Sequence, residues 1–105
     1  MKYQLENNNM KIEMDDLGAE LQSIVKDGKE YLWVADEAYW NEHSPILFPF
    51  VGRLTEGKYR LKGKEYPQII HGFARQFTYD VVEKTEDKIV FSDAFCFLHC
   101  FYTCR

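Results

Sequence analysis

Three side chains of this sequence stand where their chemistry could act on a ligand. Arg53 follows Gly52 in the apolar run PILFPFVGRL (Pro45 to Leu54). His71 sits in QIIHGFARQF (Gln68 to Phe77), directly after two isoleucines and directly before Gly72, and Arg75 lies close behind. An apolar strand that delivers a guanidinium at its end aims a rigid fork of donors at oxygen atoms. An imidazole can give or take a proton near neutral pH, and the missing side chain of Gly72 lets backbone or ligand approach closely. Each has a plainer reading. Arg53 fits a surface arginine whose stem covers apolar neighbours, His71 a packed and satisfied ring, and Arg75 an exposed ion-pair partner. Spacing leaves both sets of readings open.

Other chemistry is weaker. His43 and His99 have no supporting context, and Glu20, Glu30 and Glu42 read as solvent-facing carboxylates. Cys96, His99, Cys100 and Cys104 would supply the ligand number of a closed zinc site. They crowd into one short tail, whereas zinc sites draw ligand pairs from separated knuckles, so no metal is expected. Three cysteines, all after residue 95, make no disulfide framework. The serine-hydrolase elbow, phosphate-binding loop and paired-histidine zinc motifs are absent.

The elements that must position these residues are strands. Tyr3 and Leu5, then Met10, Ile12 and Met14, alternate with polar neighbours, as do Tyr59 and Leu61. Leu17, Ala19, Leu21 and Val25 keep one parity. Such alternation marks half-buried strands of antiparallel sheets. Turn residues separate them at NNN (Asn7 to Asn9), KDGK (Lys26 to Lys29), LKGKEY (Leu61 to Tyr66) and KTEDK (Lys84 to Lys88). Short strands at this spacing predict a sandwich or barrel. One segment, ADEAYWNEHS (Ala35 to Ser44), could form a short helical turn stopped before Pro45.

A chain of 105 residues supports one domain. Its formal charge of −4, with 13 scattered Lys and Arg, argues against nucleic acid as a partner. The run ILFPFV (Ile46 to Val51) is too short to span a bilayer, and MKYQLENNNM has no apolar signal core. A cytoplasmic protein with no membrane partner is expected. Composition shifts near Ser92: the stretch SDAFCFLHCFYTCR holds no Lys or Glu and all three cysteines. Residues 1–91 therefore read as one unit and 92–105 as an atypical tail, possible as a foreign or frameshifted end.

The ordered set GAELQSI, YLW, AYW, PILFPFVGRL and HGFAR resembles the galactose mutarotase-like, or aldose 1-epimerase, family over about residues 3–91, and most of all its shorter bacterial members. The resemblance implies an all-β, antiparallel β-sandwich, of which this chain would be the N-terminal portion. It implies interconversion of the α and β anomers of a free aldose without metal or organic cofactor. A base takes the C1 hydroxyl proton, an acid protonates the ring oxygen, the ring opens, the C1–C2 bond rotates, and the ring recloses. Arg53 matches the family arginine that contacts sugar hydroxyls; His71 matches a histidine near the ring oxygen, on a strand buried by the two isoleucines. Arg75 is carried as a further substrate contact. The family's acid, its binding aspartate and its glutamate base lie beyond this chain, so no catalytic residue is assigned and the isolated chain is expected to be inactive. HGFAR departs from the double-glycine pattern of the galactose enzymes, so preference for galactose does not follow. Exposed sheet edges would invite self-association. The alternative is a small carbohydrate-binding β-domain without turnover.

Overall fold

Alternating residues pair into antiparallel strands in a computed structural model of the chain, which describes residues 1–93 and the backbone of residues 99–103. Strands β1 (Lys2–Asn7), β2 (Met10–Asp15), β3 (Glu20–Lys26) and β4 (Lys29–Glu30) form one sheet in chain order. Strands β5 (Lys58–Leu61) and β6 (Lys64–Pro67) make a separate hairpin. A third sheet joins β7 (Asp80–Lys84), β8 (Lys88–Ser92) and β9 (His99–Thr103). The fold is all-β and antiparallel, as the period-two pattern implies.

All four turn signals fall between paired strands. Asn7 pairs with Met10, and the Asn7 side-chain oxygen accepts the Met10 N–H at 3.2 Å. Asp27 and Gly28, like Lys62 and Gly63, both have positive φ. That is the primed turn, whose twist matches the strands it joins. In KTEDK, the Thr85 N–H reaches the Lys88 carbonyl at 2.8 Å.

One expectation is corrected. The single parity from Leu17 to Val25 does not hold, because β3 carries a bulge. Glu13 faces Ser23 while Met14 faces Leu21, which leaves Gln22 without an opposite number. An extra residue flips every side chain beyond it to the other face. Leu21 and Ile24, rather than Val25, therefore pack on the core, and Leu17 is exposed. Within Ala35 to Ser44 the expected short turn forms at Asp36 to Trp40 and ends before Pro45. The Asp36 carbonyl accepts the N–H groups of Tyr39 and Trp40 at 3.0 and 2.9 Å, and the Asp36 carboxylate takes that of Ala38.

The core lies between the first and third sheets. Leu5, Ile12, Met14 and Ala19 meet Tyr79, Ile89 and Phe91, all buried, and Tyr3 sets its edge on Phe91 with ring centroids 5.7 Å apart. Three consecutive buried residues, Ile89 to Phe91, mark β8 as covered on both faces. The radius of gyration, 16.0 Å, exceeds the roughly 13 Å of a compact domain of this length. Large side chains such as Trp33, Val34, Tyr39 and Val82 remain exposed.

Glu30 fastens the end of the first sheet to the loop that follows. Its carboxylate accepts from Ser23 Oγ at 2.5 Å, the Ile24 N–H at 2.9 Å and the Leu32 N–H at 3.0 Å. Partial burial pushes its pKa up, but the bonds from Ser23, Ile24, Leu32 and Tyr31 outweigh that and leave it below the ordinary 4.5. A carboxyl lowered by folding stabilises the folded state above its unfolded pKa and loses that contribution as pH falls through the folded value.

Two outcomes are expected. Ile89→Ala leaves a cavity in the core and should cost about 2–5 kcal/mol, read as a lower urea midpoint. Glu30→Gln should be less stable than the parent at about pH 7, and the gap should close as pH falls below about 4.5 toward 3 in parallel melts.

Candidate functional site

Two irregular segments, not strand ends, carry the candidate residues. Pro45–Leu54 forms an arch rather than the apolar strand expected of it, with a cis peptide bond between Phe48 and Pro49. Gln68–Phe77 runs against it. The Phe48 carbonyl accepts the N–H groups of Phe73 at 2.9 Å and Ala74 at 3.1 Å, and Phe48 bridges to Gly72. Gly72 has φ +75°, and a β-carbon there would stand 2.1 Å from the Phe48 oxygen. Only glycine fits this contact.

The contact brings His71 to the Val51–Arg53 turn. The His71 N–H reaches the Gly52 carbonyl at 3.3 Å. Its ring Nδ1 meets the Val51 carbonyl, an oxygen that can only accept, so Nδ1 carries the proton. In the neutral ring Nε2 is then a bare acceptor. His71 itself holds φ +70°, a left-handed conformation that a residue with a β-carbon adopts at a cost. The two isoleucines do not bury a strand here: Ile69 is exposed and His71 lies in a turn.

Arg53 follows Gly52 with its side chain exposed and no hydrogen bond or ion pair among the described residues. The arch thus offers a free fork of donors and, on the residue bonded to its turn, an acceptor nitrogen. Neighbouring hydroxyl groups, which both give and accept, suit that combination.

Arg75 is placed differently. Its Nη1 donates to both oxygens of Glu42, at 3.0 and 3.1 Å, and its Nη2 to the Ile70 carbonyl at 3.3 Å. Its side chain is 16 % exposed, so much of its donor capacity is turned inward. Sequence spacing missed this partner, along with two similar ones. Glu20 accepts from both the backbone N–H and Nδ1 of His43, each at 3.0 Å, and Ser44 Oγ donates to the Leu21 carbonyl at 2.6 Å. Carboxylates read as solvent-facing instead hold the loop between β4 and the arch. The turn residues around His43 and Ser44 gave no signal, since the partners lie far apart in sequence.

An open cavity of about 390 Å³ lies beside this region, lined by Gly57, Pro67, Gln68, Ile69 and Gln76. Arg53 and His71 do not line it; the Arg53 side chain is exposed and that of His71 half-buried. Among the described residues no three His, Cys, Asp or Glu side chains gather as a metal would need. The side chains of Cys96, His99, Cys100 and Cys104, and with them the tail metal pattern, lie outside the described residues. No helix among the described residues is long and apolar enough to cross a membrane.

Gly72→Ala should lose more than about 1 kcal/mol, because the site demands positive φ and no β-carbon. Arg53→Ala, which removes an exposed side chain with no hydrogen bond or ion pair among the described residues, should stay within about 0.5 kcal/mol of the parent in the same thermal melts.

A family model described as aldose 1-epimerase matches residues 1–96. The plasmid-borne protein LacX of Lactococcus lactis subsp. lactis is 38 % identical over 98 residues, which cover 88 % of this chain and 33 % of that protein. A galactose mutarotase related enzyme from Lactobacillus acidophilus superposes with a TM-score of 0.84 at 42 % identity, over 87 % of this chain and 31 % of its own. A galactose mutarotase-like protein from Lactobacillus casei ATCC 334 gives 0.85 at 41 %, over 89 % and 32 %. The chain spans about a third of the length of the curated relatives it matches.

Proposed function

The chain belongs to the aldose 1-epimerase family, and from that membership we propose that it binds a free aldose at the arch, as part of a site for anomer interconversion. Arg53 donates to sugar hydroxyls, and His71 accepts at Nε2 from a hydroxyl or, when protonated, donates toward the ring oxygen. The observation that carries this reading is the His71 Nδ1 bond to the Val51 carbonyl. It fixes the tautomer and leaves Nε2 to a ligand, and Arg53, next to the turn that His71 bonds, has a guanidinium without a partner among the described residues. Arg75 supports the site through its bond to Ile70 and can turn remaining donor capacity to substrate.

The acid and base of ring opening are assigned outside these residues, so the chain by itself holds sugar without turning it over. That is also where a purely carbohydrate-binding domain would leave it, and the two share one binding step. The reading includes a cytoplasmic location. It also includes association between copies, supported by exposed Trp33, Val34 and Tyr39 and by the outer edge of β1.

Titration of galactose and glucose into isotopically labelled protein should give saturable shifts at His71 and Arg53, with Arg53→Ala binding about tenfold more weakly, a change of about 1.4 kcal/mol. Polarimetry of freshly dissolved α-glucose should show the uncatalysed rate. Shifts absent with both sugars, or unchanged affinity in Arg53→Ala, sink the binding site. Accelerated anomerisation would put an acid and a base within this chain.

A further inference from the structure

His71 keeps an unfavourable backbone conformation at the centre of the arch, with φ +70° on a residue that is not glycine. Such a residue persists when its surroundings over-determine it. Three bonds do so here. Its N–H goes to Gly52, its Nδ1–H to Val51, and the carbonyl of the preceding residue, Ile70, is held by Arg75 Nη2. The first two belong to the arch. The third comes from a long side chain with several rotatable bonds, which holds a carbonyl in place only if it is itself held.

Glu42 supplies that hold. Both of its oxygens sit on Arg75 Nη1, and the pair is partly shielded, with side-chain exposures of 16 % and 32 %. Shielding keeps such a pair effective where a fully exposed one would be screened by water and salt. The peptide plane between Ile70 and His71 includes the Ile70 carbonyl, so the direction of that carbonyl sets the direction of the His71 N–H.

We infer that Glu42 is a positioning residue for the sugar site: through Arg75 and the Ile70 carbonyl it holds His71 in the conformation that directs Nδ1–H to Val51 and frees Nε2. The inference rests on the aldose reading for what Nε2 is freed to do, but not for the geometry. Glu42 touches no substrate in this account. Its effect runs through a residue that the sequence marks as a ligand contact and that the fold uses as a tie.

The ring nitrogens of His71 report this directly. Long-range proton–nitrogen spectra of the 105-residue chain, recorded above the pH at which the ring titrates, distinguish a proton on Nδ1 from one on Nε2. The parent should show Nδ1–H. Glu42→Gln, which keeps size but removes the charge, should show a mixture of the two forms and shifted Ile70 and His71 amides, with the amides of β1 and β2 unchanged. Arg75→Lys, which keeps a charge for Glu42 but loses the planar fork, should do the same. Where the parent binds galactose or glucose, both variants should bind about tenfold more weakly.

A parent ring protonated on Nε2, or parent-like ring signals in Glu42→Gln, overturns the inference. So does the loss of cooperative melting in both variants, which would make the pair a general stability contact. If the parent binds neither sugar, the aldose reading fails, while the ring signals still decide whether Glu42 positions His71.

Discussion

The backbone of Gly72 lies so near the carbonyl of Phe48 that a β-carbon at position 72 would stand 2.1 Å from the oxygen. Everything in the candidate site hangs on this contact. A side chain at position 72 would force the two segments apart, and with them the bonds from Phe73 and Ala74 to the same oxygen. The His71 bonds to Val51 and Gly52 would go next, since they come from the adjacent residue. A missing β-carbon thus does what a strand pairing does elsewhere: it fixes the register of two segments, here with no ladder to repeat the information.

The supports of that contact are mostly charged. Glu20, Glu30 and Glu42 each accept more than one hydrogen bond at once, and Glu20 and Glu42 do so from residues 23 and 33 positions away. A carboxylate suits this work because two oxygens can accept from several N–H and O–H groups together. The loop between β4 and the arch lacks regular hydrogen bonding of its own. It is pinned instead at Glu30, at His43 and Ser44, and at Glu42, with Ile46 packed on the core. The core meets this region at that anchor, at Phe77 and at buried Ala74, whose carbonyl accepts from the Tyr79 hydroxyl at 3.1 Å, so apolar packing and polar ties order the site together.

Local features were legible in the sequence, and long-range ones were not. Hairpin turns could be read because Asn, Gly and Asp announce their conformations within two residues. Alternation revealed β1 and β2, but not the bulge at Gln22, since an added residue in one strand is defined only by its partner. His71 and Arg53 stood out as residues, and the family resemblance brought them to one site. That the His71 segment reaches the Val51–Arg53 turn in an arch rather than at a strand end follows from the Phe48–Gly72 contact, to which neither segment alone points. Glu20 and Glu42 were passed over for the same reason. Nothing within a few residues of Glu42 signals a guanidinium from the other side of the arch.

The placement of the core has a kinetic consequence. Leu5, Ile12 and Met14 come from the start of the chain, Ile89 and Phe91 from near the end of the described region. Hairpins with two-residue turns close in about 1–10 μs. Bringing the first sheet onto the third instead requires most of the chain to form one long loop before any apolar surface is buried in return. The arch lies within that loop. Its residues would be ordered late, after the hairpins and together with collapse, so a nascent chain holds finished turns well before it holds a closed arch.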